Sequence, residues 1–440
     1  MTTEALRESF SGSILVDGDE GFSNYPFAVG APSIVVRPST VDDVAAALKH
    51  ATANDLAVTV RSGGHSAGSY TTVAGGLVLD MAAFNAIRVD GTTAVVGAGA
   101  TWGAVAAELG AHGVALTSGD TKSVGVGGLT LGGGVGWLVR KYGLALDSLV
   151  SARVVTAAGE VVSASADENA DLFWALRGGG GNFGVVTEFT FEAHPLDGVV
   201  HGTITFDTRD LAALLRGYRD VMRGAPEELN VTFMQFPPMG PEMPGGPALH
   251  VVWGGSDLDD AMAHIQPLLD LAGVVSHDIS AKAYVDTLED PHPPEPGAPV
   301  PTMVGNNGWM PHFSDEAIAA VVAMHESLAG SVLMIRYLRG EFNRVAEDAT
   351  AFAWRSAETL VISVAFLPPD TAPEVVDGVN AAWQSVERFT EGTYGNFLTE
   401  GGERVVGLMY PAATRARLGE IKRVWDPQNL FSQNQNIVPV

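Results

Sequence analysis

A histidine at the tip of a glycine-containing loop is the first residue whose setting suggests chemistry. Residues 60–70 contain Gly63, Gly64 and His65 in succession, after a short apolar run at 56–60 that predicts a buried strand. Adjacent glycines let backbone N–H groups converge on one point, which suits a phosphate or pyrophosphate. A ring nitrogen of His65 would then contact whatever the loop binds. Gly-Gly-His alone is weak, however, and a tight turn with a surface histidine is the simpler interpretation.

Two further stretches contain more glycine than a packed domain requires. Residues 118–136 have the sequence SGDTKSVGVGGLTLGGGVG, and RGGGGNFG at 177–184 is followed by an alternating run at 185–191 that predicts a strand. Glycine at this density indicates close approach to a ligand or tight backbone packing. No stretch matches the Rossmann dinucleotide motif or the Walker phosphate loop in its required context. We therefore predict a dinucleotide site of another kind.

Together these stretches resemble the berberine-bridge-enzyme-like, FAD-linked oxidases of the vanillyl-alcohol-oxidase superfamily, which have a PCMH-type FAD-binding domain. The motifs that carry the resemblance are RSGGHS at 61–66, SVGVGGLTLGGG at 123–134, LFWALRGGGGNFGVVTEF at 172–189 and DPQNLFSQNQNI at 426–437. They span the chain from about Arg37 to Ile437. The chain most resembles the bacterial 6-hydroxy-D-nicotine-oxidase-like branch. The resemblance is specific for fold and cofactor and says little about the substrate.

The resemblance implies FAD that is covalently bound through His65. In the family, a ring nitrogen of the matching histidine is joined to the 8α carbon of the flavin. Many relatives have a second attachment through a cysteine, and the matching position here is Thr121. Because the chain has no cysteine, the resemblance implies attachment through His65 only.

The resemblance also implies a set of cofactor-binding residues from four parts of the chain. Residues 61–66 and 119–128 are expected to cradle the pyrophosphate through backbone N–H groups. For Gly132, Gly133 and Gly134, close packing is the alternative. Besides His65, the expected set is Arg61, Ser62, Gly63, Gly64, Ser66, Tyr70, Ser118, Gly119, Asp120, Thr121, Val124, Gly125, Gly127, Gly128, Gly132, Gly143, Gly184, Val185, Val186, Tyr394, Asn396 and Asn434.

Tyr394 and Asn396 resemble the family's Tyr-x-Asn element, whose tyrosine acts as the catalytic base in several members. A phenol with an ordinary pKa near 10 needs nearby positive charge or hydrogen bonds to accept a proton at neutral pH. Arg336 or Arg355 could supply that charge if they face the flavin. The alternative is a packing tyrosine, with Tyr410 and Tyr337 as the next candidates for the base, and an amine substrate would need no base.

Val126 is expected to control the access of oxygen. In the family, the residue five places after the second attachment position borders the reactive carbon of the flavin, and valine there accompanies oxidase activity. One additional methylene would fill the small pocket that oxygen needs. The alternative is that Val126 only packs in the core.

The pattern along the chain predicts an α+β protein whose two regions position these residues. Strands and helices alternate up to residue 191, including helices that begin after Thr40 and Thr101. From about residue 199 the pattern predicts an antiparallel sheet backed by helices. We expect residues 1–197 and 394–440 to form the FAD-binding domain and residues 198–393 the substrate-binding domain. Predicted strands there are 200–206, 231–236, 249–252, 333–338 and 360–364, and predicted helices are 211–222, 258–271, 315–328 and 373–386, with a further helix at 412–425 and a Pro-rich surface loop at 290–301.

Composition limits the possible partners. The 440 residues include 25 Lys and Arg against 51 Asp and Glu, a net charge of −26, which opposes binding to nucleic acid or anionic membranes. No apolar run approaches the length of a membrane span, and no secretory signal is evident, so we expect a cytoplasmic protein. Histidines lack metal-ligand spacing, so we expect no metal. The expected partners are a small-molecule substrate and O2, with a monomer or homodimer as the assembly.

The function predicted from these observations is an FAD-dependent oxidase. An alcohol, sugar, amine or aromatic metabolite would give hydride to covalently bound FAD, and O2 would reoxidise the cofactor and become H2O2. One alternative is a natural-product tailoring flavoenzyme that performs oxidative cyclisation or oxygenation. Another is a flavin-carrying binding protein without turnover.

Overall fold

The computed structural model describes residues 3–22, 30–66, 68, 70–238, 245–290 and 301–440. All but the two end residues of the predicted Pro-rich loop at 290–301 lie outside the described residues.

The first region contains two main sheets with short helices between their strands. Its strands are β1 Ser13–Leu15, β2 Ile34–Arg37, β3 Val58–Arg61, β4 Leu77–Asp80, β5 Ile87–Asp90, β6 Thr93–Gly97, β7 Val114–Ala115, β8 Leu149–Val155, β9 Val161–Ser165, β10 Val185–Glu192 and β11 His194–Pro195. Its helices are α1 Thr3–Ser9, α2 Val41–Ala53, α3 Trp102–Ala111, α4 Val126–Gly132, α5 Val139–Tyr142 and α6 Ala170–Leu176. One sheet has the order β1-β2-β4-β3, with β2, β4 and β3 parallel, and the other has the antiparallel order β5-β6-β10-β8-β9.

Two predicted helix caps are confirmed. The Thr40 hydroxyl accepts a hydrogen bond from the Asp43 N–H, and the Asp43 carboxylate accepts one from the Thr40 N–H, which forms a capping box. Thr101 caps α3 through the N–H of Ala104 at 3.5 Å. These caps fix the starts of helices that pack on the sheets on either side of the loop at 61–66.

The second region is one antiparallel sheet with helices on one face, as predicted. Its strands are β12 Val199–Phe206, β13 Leu229–Phe236, β14 Gly246–Trp253, β15 Val274–Lys282, β16 Thr302–Met310, β17 Ser331–Tyr337 and β18 Thr359–Leu367, in the order β15-β12-β14-β13-β17-β18-β16. Its helices are α7 Leu211–Gly224, α8 Leu258–Leu269, α9 Asp315–Ser327 and α10 Pro373–Glu387. The five predicted strands are present, whereas β15 and β16 were not predicted.

The two faces of this sheet contact different layers, because side chains alternate along each strand. Val231, Phe233 and Ile335 pack with the helices in one core. Residues of opposite parity point to the first region: the Asn230 side-chain amide donates to the Gly136 carbonyl at 3.3 Å, and Arg336 forms an ion pair with Asp120. The second face therefore lies over the glycine-rich segment.

The last part of the chain returns to the first region. It contains α11 Glu403–Met409 and α12 Ala412–Trp425, the latter with the predicted bounds. Leu418, Ile421 and Ile437 join the core that contains Phe189, which supports a proposed division of the chain at 197/198 and 393/394. Within the described ranges, no helix combines the length and apolar character needed to cross a membrane.

Candidate active site

A cavity of about 420 Å³ lies where the glycine-rich loops, the turn at Tyr394 and the C-terminal tail meet. This volume is within the usual range for a cofactor or small-molecule site. Most of the predicted site residues line it, namely Arg61, Ser62, Gly63, Gly64, His65, Ser66, Tyr70, Gly119, Asp120, Thr121, Val124, Gly125, Gly127, Gly128, Gly184, Val186, Tyr394, Asn396 and Asn434.

The two loops on one side of the cavity are in contact through glycine backbone. A Cβ atom on Gly63 would lie 2.2 Å from the Gly125 nitrogen, and one on Gly125 would lie 2.1 Å from the Gly63 nitrogen. No side chain fits at either position, so close backbone approach explains both glycines. The Ser62 hydroxyl adds a hydrogen bond to the Ala98 carbonyl at 2.7 Å. The loops therefore form one fixed wall.

Several N–H groups of the segment 119–128 hold this wall together and are not directed at a ligand. The N–H of Val124 donates to Thr121, that of Val126 to Ala100 and that of Gly127 to Ala98, at 2.9 to 3.3 Å. The expectation that the whole segment cradles a pyrophosphate through its N–H groups is therefore wrong for these three.

His65 is exposed at the cavity wall, and its Nε2 atom lies 2.7 Å from the Ser123 hydroxyl. Desolvation lowers the pKa of His65, the positive charge of Arg61 lowers it further, and the carboxylate of Asp120 opposes both. A lowered pKa favours the neutral imidazole at pH 7, which keeps a lone pair on one ring nitrogen.

Tyr394 is buried beside the cavity, and its hydroxyl oxygen accepts two hydrogen bonds. The donors are the Gly134 N–H and the Asn396 side-chain amide, each at 2.9 Å. A Cβ on Gly132 would lie 2.3 Å from the Asn396 Oδ1, and one on Gly133 would lie 3.1 Å from the Tyr394 ring. Close packing, the alternative given in the sequence analysis, therefore explains these two glycines. The side chains that pack against them are those of Asn396 and Tyr394, the predicted catalytic pair.

The electrostatic setting of Tyr394 differs from the expectation. Burial raises the pKa of Tyr394, while the hydrogen bonds from Gly134 and Asn396 lower it and Arg336 contributes less. Arg355 forms a two-point ion pair with Asp147 at 2.7 and 2.9 Å, so its charge is already balanced. Hydrogen bonds to the phenol oxygen, and not a free arginine, are therefore the main groups that favour the phenolate.

Arg336 does not line the cavity. It is buried at 3% exposure in an ion pair with Asp120, which does. Burial alone would raise the pKa of Asp120, but the charge and hydrogen bond of Arg336 lower it. Arg336 also lies 5.9 Å from the centre of the Phe397 ring, and its charge lowers the pKa of Tyr394, although less than the hydrogen bonds do. Its catalytic role therefore stays a prediction, exerted from outside the cavity lining.

Five other predicted residues lie outside the cavity lining. Val126 has no exposed surface, because it is the first residue of α4 and packs in the core. Val185 is buried in the core of the first sheet. Ser118 is buried, and its hydroxyl oxygen lies 2.9 Å from the Tyr284 hydroxyl oxygen. Gly143 ends α5 with a φ of 77°. Gly132 packs against the Asn396 side chain. These positions support the walls of the site.

Other lining residues were missed. Gly180 and Gly181 belong to the recognised motif at 172–189, from which only Gly184, Val185 and Val186 were predicted to bind the cofactor. Gln433 precedes Asn434 in the recognised C-terminal motif. Phe397 follows Asn396 directly, so motif proximity could have identified it. Leu129 and Leu131 lie within the recognised motif at 123–134, and Val135 follows it, but the motif does not show which of its apolar side chains face the cavity.

The described residues fit a bound FAD. Gly128 and Gly181 line the cavity, and a Cβ on either would meet nothing closer than 4.0 Å, so side chains there would occupy the cavity. The Asn434 amide donates to Gly181 and Phe431, while its buried Oδ1 has no hydrogen-bond partner among the described residues. A buried acceptor at a cavity wall suits a ligand with donors. Arg61 also lines the cavity, where its guanidinium lies 3.7 Å from the Asp80 carboxylate.

Two family models match the chain, an FAD binding domain at residues 32–165 and a berberine and berberine-like segment at residues 408–438. The (R)-6-hydroxynicotine oxidase of Paenarthrobacter nicotinovorans is 31% identical, over 98% of this chain and 97% of that protein. The chain belongs to the berberine-bridge-enzyme-like FAD-linked oxidoreductases. It is therefore an enzyme of a flavoprotein family, and the predicted recognition and fold are confirmed.

Two solved structures of the family extend over essentially the whole chain. The 6-hydroxy-D-nicotine oxidase from Arthrobacter nicotinovorans superposes with a TM-score of 0.85 at 27% identity, covering 100% of both chains. The glucooligosaccharide oxidase from Acremonium strictum superposes with a TM-score of 0.85 at 26% identity, covering 99% of both chains. The latter carries a 6-S-cysteinyl, 8α-N1-histidyl FAD. These relatives act on chemically different substrates, so family membership does not select one.

Proposed function

We propose that this protein oxidises a small alcohol or amine by transferring hydride to FAD, with O2 as the final electron acceptor. The observation that carries the proposal is the setting of Tyr394 at the cavity wall. Its oxygen accepts hydrogen bonds from Gly134 and Asn396 and lines the same cavity as the glycine loops. This arrangement stabilises the phenolate, as a general base requires.

Bound FAD would supply the hydride acceptor. The chain's own part begins with orientation of an alcohol substrate so that its hydroxyl proton meets the Tyr394 oxygen. Asn396 and the Gly134 N–H hold that oxygen in place and balance the negative charge on the phenolate before proton transfer. The substrate loses one hydride and one proton, which together are two electrons and two protons, and O2 takes up the same number of each to become H2O2.

We further propose that FAD is attached through His65 alone. His65 lines the cavity and its ring lies beside the first glycine pair. Thr121 also lines the cavity but offers a hydroxyl where a second attachment would need a thiolate, and the chain contains no cysteine. The FAD of the glucooligosaccharide oxidase has both a cysteinyl and a histidyl link, so the cofactor proposed here would differ from it by lacking the cysteinyl link.

The surroundings of Tyr394 favour a substrate with an apolar or aromatic body. Beside Tyr394, the cavity is lined by Leu129, Leu131, Val135 and Phe397, and Tyr394, Val135 and Phe397 belong to one apolar cluster. The rings of Phe397 and Tyr394 are 5.1 Å apart in an edge arrangement. Apolar side chains offer no hydrogen bonds to the many hydroxyls of an oligosaccharide, which would lose their water contacts without replacement.

Anaerobic mixing with matched substrates tests the proposal. Aryl alcohols, aryl-substituted cyclic amines and cello-oligosaccharides are each added to the yellow holoprotein, and the flavin absorbance is followed. We expect bleaching by an aryl alcohol or amine, and recovery of the absorbance with release of H2O2 on admission of air. Bleaching by the oligosaccharides alone would refute the apolar preference.

The same experiment separates the two alternative functions. A tailoring enzyme that cyclises or oxygenates its substrate would give a product other than the simple carbonyl or imine, which mass spectrometry of the reaction mixture distinguishes. A flavin-carrying binding protein would show ligand-induced spectral shifts without reduction. Hydride transfer has the stronger support, because Tyr394 lines the cavity and its two donors favour the phenolate that a base requires.

A further inference from the structure

The hydrogen bond between His65 and Ser123 connects the two glycine loops across 58 residues of sequence. Ser123 stands between two predicted cofactor-binding residues, Thr121 and Val124, but was not itself assigned a role. Its hydroxyl oxygen lies 2.7 Å from the Nε2 atom of His65. Neither side chain is buried, so the bond forms at an accessible edge of the cavity.

The backbone around Ser123 is held from both sides. The Lys122 N–H donates to the Glu289 carbonyl and the Gly103 N–H donates to the Lys122 carbonyl, both at 2.9 Å. On the other side, the Trp102 N–H donates to the Val124 carbonyl at 2.9 Å. The contact between Gly63 and Gly125 fixes this segment against the histidine loop. Ser123 is therefore a stationary partner for an exposed ring that would otherwise rotate about its side-chain bonds.

An imidazole ring has only two nitrogens, and the bond to Ser123 occupies one of them. The other, Nδ1, makes no hydrogen bond with any residue in the described ranges. In the neutral ring one nitrogen carries the proton and the other the lone pair. The lowered pKa of His65 favours a neutral ring. When Nε2–H donates to the Ser123 oxygen, the lone pair is on Nδ1, the nitrogen that the contact with Ser123 leaves available.

We propose that Ser123 is a positioning residue that holds the His65 ring by Nε2 and so selects Nδ1 as the nitrogen joined to the flavin. The inference rests on the proposed covalent attachment through His65. In the attachment, Nδ1 would bond to the 8α carbon, which would lose one hydrogen while the imidazole loses its N–H proton. The two electrons and two protons released would reduce the flavin, and O2 would reoxidise it and become H2O2. Ser123 itself does not touch the bond that forms. It fixes the tautomer and the direction of the ring, in the way that a second hydrogen bond orients a histidine ligand in a metal site.

The rate of covalent attachment tests the inference. Full-length wild type, Ser123→Ala, Ser123→Thr and Lys122→Ala are produced under riboflavin limitation, and FAD is then added. Samples are acid-precipitated over time, and flavin fluorescence in the washed pellet measures the attached fraction. Lys122→Ala is the control, because Lys122 lies in the same turn and pairs with Asp290 at the surface, outside the cavity lining.

We expect Ser123→Ala to slow attachment by about tenfold to a hundredfold, since a reacting group misplaced by about 1 Å can cost that much. Ser123→Thr, which keeps the hydroxyl, and Lys122→Ala should attach flavin at close to the wild-type rate. Equal rates in wild type and Ser123→Ala would overturn the inference. Thermal unfolding of each protein shows whether Ser123→Ala remains folded. An unchanged melting temperature, together with normal attachment in Ser123→Thr, would assign the slower attachment to a misplaced His65 ring and not to a loss of fold.

The second measurement identifies the nitrogen. NMR of the flavin peptide isolated from ¹⁵N-histidine-labelled protein should show linkage through Nδ1 in the wild type and a mixture of both nitrogens in Ser123→Ala. Linkage through Nε2 in the wild type would overturn the inference while leaving the attachment itself intact. If the wild type released all its flavin on denaturation, both the attachment and the inference would be refuted. Hydride transfer to FAD would not be affected by that result, because the bleaching experiment tests it separately.

Discussion

The two sides of the cavity are built from different parts of the polypeptide. On the loop side, Gly63 and Gly125 approach so closely that neither tolerates a Cβ atom. On the sheet side, Tyr394 and Phe397 line the cavity, and large side chains such as Met334 and Ile362 pack in the same cluster outside the lining. Backbone contacts require one residue type, whereas side-chain contacts accept many. The difference explains how relatives named for nicotine and oligosaccharide substrates share one fold with this chain.

The largest expected effect comes from breaking the loop side. Gly63→Ala places a Cβ 2.2 Å from a backbone nitrogen that cannot move without opening the wall. We expect loss of bound flavin and destabilisation by about 1–3 kcal/mol, the usual cost of overpacking. The flavin-to-protein absorbance ratio and thermal unfolding measure both effects. Gly110→Ala is the control, because a Cβ on Gly110 in α3 meets nothing within 4 Å. Normal flavin content in Gly63→Ala would show that the wall can yield.

The second prediction concerns the base on the sheet side. Tyr394→Phe removes the proton acceptor and should lower the rate of flavin reduction by an alcohol by about two to four orders of magnitude, with FAD still bound. Anaerobic stopped-flow absorbance measures this rate. Tyr410→Phe removes a buried hydroxyl that donates to the Gly178 carbonyl outside the cavity lining, and it should leave the rate unchanged. An unaltered rate in Tyr394→Phe would exclude the tyrosine as base.

The third prediction uses pH to sharpen the same point. Burial raises the pKa of Tyr394 and the bonds from Gly134 and Asn396 lower it. A base acts when deprotonated, so the reduction rate should rise with pH and level off above its pKa. Asn396→Ala removes one donor and raises that pKa, so its rising limb should move to higher pH. One hydrogen bond is worth about one pKa unit, so the rate at neutral pH should fall about tenfold. Superimposable pH profiles would contradict this role for Asn396.

The smallest effect separates two valines. Val124 lines the cavity, whereas Val126, the expected oxygen gate, is buried in the core. Val124→Ile should leave flavin reduction intact and slow reoxidation by air by up to about tenfold, or roughly 1.4 kcal/mol. Val126→Ile should instead lower stability by about 1–3 kcal/mol. Double-mixing stopped-flow and thermal unfolding distinguish the two. Slower reoxidation only in Val126→Ile would restore the original hypothesis.

Regular elements with clear end signals were predictable from the sequence. Thr101 and the Asp426-Pro427 pair mark the start of α3 and the end of α12, whose bounds agree with the prediction. β15 and β16 were missed for two physical reasons. β15 is an edge strand with mostly exposed, polar side chains, so it lacks an alternating apolar pattern. β16 contains Gly305, Asn306, Asn307 and Gly308, residue types that strands usually avoid.

The candidate site was predictable where backbone dictates the residue type. The glycine stretches identified most of the cavity lining, because glycine has few other reasons to occur at that density. The direction of a side chain depends on where an element begins, which the sequence does not fix to one residue. α4 begins at Val126, so Val126 points to the core while Val124 and Leu129 line the cavity. The same limit hid the bond between Ser123 and His65.

The central claim is that the loop side holds FAD through His65. Mass spectrometry of the tryptic peptide 62–88, which contains His65, tests it most directly on protein purified as the holoenzyme and denatured before digestion. The account predicts that this peptide carries the mass of one FAD and that a His65→Ala protein yields it unmodified. An unmodified wild-type peptide accompanied by free FAD, or FAD on any other peptide, would contradict it.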